Sequence, residues 1–475
     1  MGALSAHAAE PTKEVLTYHA DAARTGNFVI PNLSFDRARA VHPDDGFKAA
    51  IDGHVYAQPL FWSENGGAGL VLVATESNNV YALDAATGKT VWQRALGKPA
   101  TRSALPCGNI DPLGVTGAPA IDPRGQAFYL DAMMQGSAGA THQLFGLSLR
   151  DGSVLPGWPV DVASALRQQG LAFEARDQNE RGALLIMGDT VYAPYGGHFG
   201  DCGRYHGWVV GAKLDGNHAL TSWHVPAQAG GIWAPAGISS DGNSLYVATG
   251  NTMDTQQWAD GEAVIRLPPD LKFSNQPRDY FAPSDWRALD DRDADLGGVA
   301  PVEFSAGGVK LSLTLGKDGK AYLLNQGNLG GIGGAAAQAE VSPRAIFAAA
   351  AVFPLGDAAA VAFEGAGSSC PAGHSGKGLT VLKITGKPPA IATAWCGAVD
   401  GRGAPIVTTT DGSSDPIVWM LGAEGDDRLY AFRGDTGEKI FQSTPMKGLR
   451  HFETLIATPR RLYIAGDNAV YAFAF

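Results

Sequence analysis

The sequence predicts an all-β protein, an eight-bladed β-propeller of four-stranded antiparallel blades, and three observations lead to this prediction. Residues 70–97 form one complete repeat unit, in which short apolar or alternating runs are separated by a tight turn. Degraded copies of this unit recur at intervals of about 40 to 65 residues, the period of a propeller blade with loop insertions. The composition, with 62 glycines, 28 prolines and 17% charged residues, suits many short strands and turns.

The first unit defines the strands of a blade. LVLVAT is a short apolar run, NVYALDA alternates, ATGK supplies a turn and TVWQRAL alternates again, which is the pattern of a β-meander. The third strand of each unit provides an anchor, and the aligned anchors predict eight blades. These anchors are Tyr81, Phe145, Val209, Val264, Tyr322, Val381, Tyr430 and Tyr471.

The last unit predicts how the ring closes. It supplies only three strands, HFETLIAT, RLYIAG and AVYAFAF, so one strand of the eighth blade is missing at the end of the chain. The unassigned strand-like run before the first blade is FKAAID, residues 47–52, and we expect it to complete that blade. Closure removes an exposed sheet edge. Residues 47–475 are therefore predicted to form the propeller, and residues 1–46 a signal remnant and N-terminal extension.

The net charge and the hydropathy of the chain limit the kinds of partner that we expect. The net charge is −11 and no run of Lys or Arg is present, which argues against a nucleic-acid partner. No stretch of about 18 apolar residues occurs, so no membrane span is expected. The start of the chain, LSAHAAEPTKE, resembles the end of a secretory signal with a small-x-small site at residues 6–8. We expect a periplasmic or secreted protein.

Four cysteines occur, in none of the spacings typical of zinc or C-x-x-C redox sites: Cys107, Cys202, Cys370 and Cys396. An even number in an exported chain favours two disulfides, and buried free thiols are the alternative. The blade order places Cys107 and Cys202 in loops of one face, and Cys370 one hairpin from Cys396. The expected pairs are therefore Cys107–Cys202 and Cys370–Cys396.

The repeat also sorts polar residues onto one face of the ring. Loops between the second and third strands share this face with the inter-blade loops, and the first strands begin there, at the mouth of the central channel. The default ligand site lies in such a cleft. Four histidines are predicted to lie at this mouth, and they are candidate metal ligands because neutral imidazole binds metals well. They are His54, His198, His206 and His451. The alternative is that each histidine caps a loop or bonds a backbone carbonyl.

Other residues of the same face complete the predicted site. The catalytic candidates are His206, His198, Asp201 and Arg402, and the cofactor-binding candidates are Trp233, Gln58 and Glu76. Trp233 is suited to stack on a flat ligand, with ordinary blade packing as the alternative. The acidic run at residues 290–295 offers oxygen ligands for Ca²⁺ but lacks the spacing of a calcium loop, so a solvated loop is the alternative.

The segment YALDAATGKTVW resembles the repeat of pyrroloquinoline-quinone (PQQ) dehydrogenases and their cofactor-free relatives, and the resemblance extends along the chain through VYAQPL, GGIWAP, YVATGN, DADLGG and GKDGKAYLLN. It implies a repeat Trp that docks on the neighbouring blade. In the quinone enzymes of this family, PQQ lies between a Trp and a ring formed by two adjacent cysteines, beside Ca²⁺ held by Glu and Asn with an Asp base. This chain has no adjacent cysteines, and only Trp233 matches that sandwich.

Three functions are compatible with these residues. The first is an exported oxidoreductase with a small-molecule or glycan substrate, dependent on a transition metal (Cu, Fe or Zn), Ca²⁺ or a quinone, at a mouth that contains the four histidines. The second is a non-catalytic propeller that binds a protein or a glycan, like envelope-assembly scaffolds of the same repeat. The third is a polysaccharide lyase that uses Arg204, Tyr205 and His206. Clustered ionisable groups favour the enzyme over the scaffold.

Overall fold

A computed structural model describes residues 9–67, 69–137, 139–217, 219–253, 255–374 and 376–475. Eight antiparallel sheets follow one another along the chain and form an eight-bladed propeller, as predicted. Blade 1 consists of Leu60–Trp62, Leu70–Ala74, Asn79–Asp84 and Thr90–Ala95. Blade 2 consists of Ala120–Asp122, Ala127–Gly136, Gly139–Ser148 and Val160–Asp161. Blade 3 consists of Leu185–Met187, Thr190–Gly197, Trp208–Lys213 and Leu220–His224, with Gln178–Asn179 added.

The second half of the ring continues in the same order. Blade 4 consists of Ser239–Ser240, Leu245–Thr249, Ala263–Leu267 and Tyr280–Ala282, with Gly331–Ile332 outside them. Blade 5 consists of Val302–Ala306, Val309–Leu315, Lys320–Asn325 and Ala337–Glu340. Blade 6 consists of Ala351–Leu355, Ala358–Glu364, Gly378–Gly386 and Pro389–Ala398. Blade 7 consists of Ile406–Thr409, Ile417–Leu421, Leu429–Arg433 and Lys439–Gln442.

The ring closes as the sequence predicts. Blade 8 consists of Leu455–Ala457, Arg461–Gly466 and Ala469–Ala474. Its outermost pairing comes from the other end of the chain, because Ala49–Ala50 lies antiparallel to Ala469–Ala474. His42–Pro43 pairs with the same strand, so the edge of the blade begins before residue 47. The predicted signal site at residues 6–8 lies outside the described residues.

Helices are short and lie between strands. The α-helices are Phe35–Arg39, Val162–Gln168 and Trp286–Asp290, and the 3₁₀ turns are Glu64–Gly66, Arg102–Ala104, Pro277–Asp279 and Leu296–Gly298. In the part of the chain that the structure describes, no helix is long and apolar enough to cross a membrane.

The repeat residues hold neighbouring blades together. Asp84 Oδ1 accepts hydrogen bonds from the backbone N–H and the hydroxyl of Thr87, which fixes the turn. Gly88 follows with φ of +75°, and a Cβ there would lie 2.6 Å from the Lys48 carbonyl carbon, so only glycine fits. Trp92 Nε1 then donates to the carbonyl of Leu149 in blade 2, 2.9 Å away. The predicted docking of the repeat Trp on the next blade is confirmed.

The N-terminal segment fills the central channel, which the sequence analysis does not predict. Residues 12–30, here called the strap, run inside the ring, and Asn27–Val29 pairs in parallel with the innermost strand of blade 7. Five further backbone N–H groups of the innermost strands donate to strap carbonyls: Phe61 to Val15, Ile121 to Leu16, Ser240 to Ala22, Glu303 to Ala23 and Val352 to Thr25. The strap thereby ties blades 1, 2, 4, 5, 6 and 7 to one segment.

Both predicted disulfides are present. Cys107 pairs with Cys202 across Cα atoms 6.0 Å apart, and Cys370 pairs with Cys396 across 5.7 Å. The first bridge joins the loop that follows blade 1 to the long loop of blade 3. The second bridge fixes the loop of blade 6 to the outer strand of that blade. No free cysteine remains among the four.

Candidate functional site at the mouth of the ring

Two of the four predicted histidines lie at the junction of blades 8 and 1. His54 Nδ1 is 2.7 Å from Arg450 Nη2 and 2.9 Å from Asp467 Oδ2. His451 Nδ1 donates to Glu424 Oε1 at 2.7 Å. The His451 ring also meets Tyr56 edge-on, with centroids 5.5 Å apart. The predicted proximity of the two segments is therefore present, but each imidazole has its own partners.

The other two histidines belong to the loops of blade 3 and bond to backbone carbonyls. His198 is buried, its Nε2 donates to the Arg176 carbonyl at 3.0 Å, and burial lowers its pKa to about 4. His206 Nδ1 lies 3.0 and 2.7 Å from the carbonyl oxygens of Val225 and Ala227. Within the described ranges, no three His, Cys, Asp or Glu side chains are arranged to hold a metal ion. The structure thus does not bring His54, His198, His206 and His451 to one point.

The remaining predicted residues differ in their surroundings. Gln58 bonds to the strap, since its Oε1 accepts from the His19 N–H at 3.0 Å. Glu76 is fully buried, and its Oε2 accepts from the Gly114 N–H at 2.7 Å. Burial raises the Glu76 pKa to about 7. Arg402 lies near the half-buried carboxyl of Glu364, whose pKa is likewise raised to about 7 by desolvation. These residues line the same face without sharing one cavity.

Asp201 and the lyase candidates of blade 3 do not form a catalytic set. The Tyr205 hydroxyl donates to Asp201 Oδ1 at 2.7 Å, and burial raises the tyrosine pKa far above its usual value. His206 directs Nδ1 to backbone carbonyls, as above, and the Arg204 N–H bonds to Asp177 Oδ2. A tyrosine held protonated by a neighbouring carboxylate is a poor general base.

A different group of side chains converges between blades 4 and 5. Trp233 Nε1 donates to Asp295 Oδ2 at 3.2 Å, and the Asn251 N–H donates to Asp295 Oδ1 at 3.2 Å. Asn251 Nδ2 donates to Asp293 Oδ1 at 2.9 Å. Lys317 Nζ lies 2.8 Å from Asp293 and 2.9 Å from Asp295, and 5.4 Å from the Trp233 ring centroid. We call these five residues the blade 4/5 cluster.

The cluster combines one buried and one exposed carboxylate with a single cation, and a further buried carboxyl, Glu262, lies next to it. Asp295 is 6% exposed, and burial raises its pKa although Lys317 opposes the shift. Glu262, fully buried beside it, has a pKa raised well above its usual value by burial and then by Asp295. Glu262 Oε1 and Asn251 Oδ1 are buried without a hydrogen-bond partner among the described residues. Oxygen atoms left without donors in this way favour an added cation or donor.

Of the cluster residues, the sequence singles out Trp233 and the acidic run that contains Asp293 and Asp295, but not Asn251 or Lys317. Asn251 ends the segment YVATGN, Asp293 and Asp295 lie in the acidic run, and Lys317 lies in the turn GKDG. The solvated-loop alternative for the acidic run holds for the exposed Asp291 and not for the buried Asp295. The signals that point to the cluster are therefore three short segments of the repeat resemblance, taken together.

The cluster meets part of the requirement for a quinone. Trp233 supplies one flat face, and its edge is fixed by Asp295. The second face of the family sandwich is absent, because all four cysteines form bridges between residues 95 and 26 positions apart, and none is adjacent to another. Carboxylate and amide oxygens fit an oxygen-seeking cation.

No family model and no curated protein sequence matches the chain. Among solved structures, it is similar to the quinohemoprotein alcohol dehydrogenase ADHIIG of Pseudomonas putida HK5, with a TM-score of 0.71 and 13% identity over 98% of this chain and 80% of that one. A europium-containing methanol dehydrogenase matches with a TM-score of 0.65 and 13% identity, over 98% of this chain and 99% of that one. BamB of Moraxella catarrhalis matches with a TM-score of 0.54 and 14% identity, over 92% of this chain and 100% of that one. The chain has the propeller fold that quinoprotein dehydrogenases share with BamB.

Proposed function

We propose that this protein is an exported oxidoreductase that holds an oxygen-seeking cation at the blade 4/5 cluster. The observation that carries the proposal is the convergence of Trp233, Asn251, Asp293, Asp295 and Lys317 from four separate segments of the chain. The two disulfides support export, because such bonds persist in oxidising compartments.

The chemistry of the donors selects among the cations considered. Two carboxylates and an amide oxygen are ligands for Ca²⁺ and other hard cations, whereas Cu and Zn prefer imidazole and thiolate. Asn251 Oδ1 is buried and unpartnered in the described structure, and its amide is held by the bond from Nδ2 to Asp293. The europium-containing methanol dehydrogenase, which shares the fold, supports a hard trivalent ion as a second candidate.

The side chains around the cation have distinct roles in this proposal. Trp233 forms the floor of the site. Lys317, which bonds to Asp293 at 2.8 Å and to Asp295 at 2.9 Å, would turn from these carboxylates to an oxygen of the bound small molecule when the cation binds. Burial raises the pKa of Asp295 and of Glu262, and a bound cation would favour their charged forms, so binding of the cation should release protons from these carboxyls. A quinone held on Trp233 would supply the acceptor for two electrons. Its second face would contact residues other than the adjacent cysteines of the family.

Terbium luminescence tests the cation site directly. Tb³⁺ replaces Ca²⁺ and emits when a nearby Trp is excited, so wild-type protein should show saturable emission at one equivalent. Asp295→Asn should weaken binding at least about tenfold, since it removes one charged ligand. Trp233→Phe should keep the binding, measured by titration calorimetry, and lose most of the emission. Asp291→Asn, an exposed carboxylate of the same run, is the matched control and should behave as wild type.

A dye-linked assay tests the redox activity. Protein loaded with PQQ and with Ca²⁺ or La³⁺ should reduce an artificial acceptor when primary alcohols are supplied, and Asp295→Asn should abolish this reduction. Equal Tb³⁺ binding by wild type and Asp295→Asn would refute the cation site. Saturable Tb³⁺ binding without dye reduction by any alcohol would refute the oxidoreductase and leave a binding propeller.

A further inference from the structure

A second, narrow cavity opens at the mouth between blades 1, 3 and 8, apart from the blade 4/5 cluster. Tyr56, Arg181, His451 and Phe452 line it, and the tip of the strap closes its floor with Tyr18. The free space is about 10 Å³, enough for one water-sized group. Whatever occupies the cavity therefore enters by a single atom or small group, and the remainder of the ligand stays in the open mouth.

Arg181 dominates the wall of this cavity and has no neutralising partner. Its guanidinium carbon lies 5.1 Å from the Phe452 ring centroid and 5.9 Å from that of Tyr56. Among the described residues it makes no hydrogen bond and no ion pair, and burial lowers its pKa. An arginine that is desolvated against aromatic faces still presents its N–H donors, and these donors match carboxylate oxygens.

The floor of the cavity supplies a second donor without a partner. Tyr18 is 3% exposed and its hydroxyl is buried with no hydrogen bond in the described structure. Burial keeps this hydroxyl protonated, because it raises the tyrosine pKa far above its usual value. The Tyr18 ring is held in place by stacking on His19, 4.4 Å away, and by the bond from Arg24 Nη1 to the Tyr18 carbonyl.

Neighbouring acidic groups leave Arg181 free for an added anion. Glu424 is engaged by His451, 2.7 Å away, and Glu76, with a pKa of about 7, is partly neutral at physiological pH. Asp467 is engaged by Arg450. No carboxylate of the described ranges therefore compensates the guanidinium at hydrogen-bond distance.

We propose that Arg181 and the Tyr18 hydroxyl form a carboxylate-binding subsite, in which one carboxylate oxygen of a small-molecule ligand enters the cavity. The ligand is accordingly an organic acid or a substrate that carries a carboxylate. The subsite shares no residue with the proposed cation site, so either can fail while the other stands. It also gives the strap a part in binding, since Tyr18 belongs to the N-terminal segment.

Titration calorimetry with benzoate, and with benzamide as the uncharged isostere, tests the subsite on the full chain. Wild type should bind benzoate and should bind benzamide at least about tenfold more weakly. Tyr18→Phe keeps the ring and should lower benzoate affinity about three- to tenfold, and Arg181→Gln should lower it more than about tenfold. Arg344→Gln removes an exposed charge of the same face and should leave the affinity unchanged.

Circular dichroism and the thermal midpoint check that each variant is folded, and Tyr18→Phe keeps the test open if Arg181→Gln does not fold. Benzoate binding that is equal in wild type and Tyr18→Phe would overturn the proposal, as would equal affinity for benzoate and benzamide. Failure of benzoate to bind at concentrations up to about 50 mM would also overturn it, because such an affinity lies below that of a functional subsite.

Discussion

Glu303 should make the stability of the propeller depend on pH. It lies on the innermost strand of blade 5, is 3% exposed, and its backbone N–H donates to the strap at Ala23. Its Oε1 accepts from the hydroxyl of Ser312 at 2.8 Å, while Oε2 has no partner in the described structure. Burial raises its pKa from 4.5 to about 8. The folded state therefore keeps this carboxyl protonated when the unfolded chain would release the proton.

The sign and size of the effect follow from this difference in pKa. Since the folded state binds the proton more tightly, the free energy of unfolding decreases as pH rises from about 4.5 to about 8 and then levels off. The loss relative to a neutral side chain is about 3 kcal/mol at pH 7 and about 1 kcal/mol at pH 5. For a chain of 475 residues, 3 kcal/mol corresponds to a shift of about 3 °C in the thermal midpoint.

Glu303→Gln isolates this contribution. The amide keeps the shape of the protonated acid and does not ionise, although it carries two N–H donors where the acid carries one O–H, so the variant should be more stable than wild type by about 3 °C at pH 7 and by about 1 °C at pH 5. Differential scanning calorimetry at both pH values measures the difference. Glu340→Gln, an exposed carboxylate of the same blade, should show no such change. An identical stabilisation by Glu303→Gln at both pH values would refute the reasoning, because it would mean that the carboxyl does not titrate differently on unfolding.

Two further predictions concern the strap and the disulfides. Arg24 is fully buried and donates to three backbone carbonyls and one hydroxyl. Arg24→Met should therefore lower the free energy of unfolding by at least about 3 kcal/mol, seen in calorimetry as a lower thermal midpoint. The exposed control Arg150→Met should match wild type. Cys202→Ser opens a bridge of 95 residues and Cys396→Ser one of 26, so chain entropy predicts losses of about 4.5 and about 3.5 kcal/mol. A larger midpoint decrease for Cys396→Ser than for Cys202→Ser would contradict this order.

The ring could be predicted from sequence because it depends on short turn motifs, which are visible locally, and on the number of strands, which can be counted. The turn that contains Asp84, Thr87 and Gly88 is set by contacts within five residues, and the docking of Trp92 repeats in Trp395, whose Nε1 donates to Gly434 of the next blade. Closure by residues 47–52 followed from counting strands, because a blade without its fourth strand would expose an edge.

The strap could not be predicted, because the sequence carries almost no signal for it. Its partners are backbone N–H groups of the innermost strands, and every residue type offers such groups. The segment has no repeat, and its most informative residue is Arg24, a lone arginine before Gly26. Only the folded ring shows that the guanidinium fits between the carbonyls of Leu184 and Ile238.

The sequence indicates which loops share the face of the candidate site, but it does not indicate which side chains meet there. Blade geometry determines which loops share the mouth, so His54, His206 and Trp233 were assigned to it from sequence. Whether two side chains meet depends on loop conformation and rotamer, and these turned His206 toward the carbonyls of its own blade. The contact between Lys317 and Asp293 joins two loops in the same way, and spacing along the chain does not encode it.

The strap links the architecture of the ring to the chemistry of its mouth. It bonds to the innermost strands of six blades and so lies beneath the mouth, where Tyr18 of the strap lines the cavity of Arg181. Under the two proposals the mouth has two unlike halves, in which Asp293 and Asp295 would bind a cation and Arg181 with Tyr18 would bind an anion. A small molecule that is bound through a cation at one half and through its own carboxylate at the other would be held in one orientation, which is the arrangement that a selective enzyme requires.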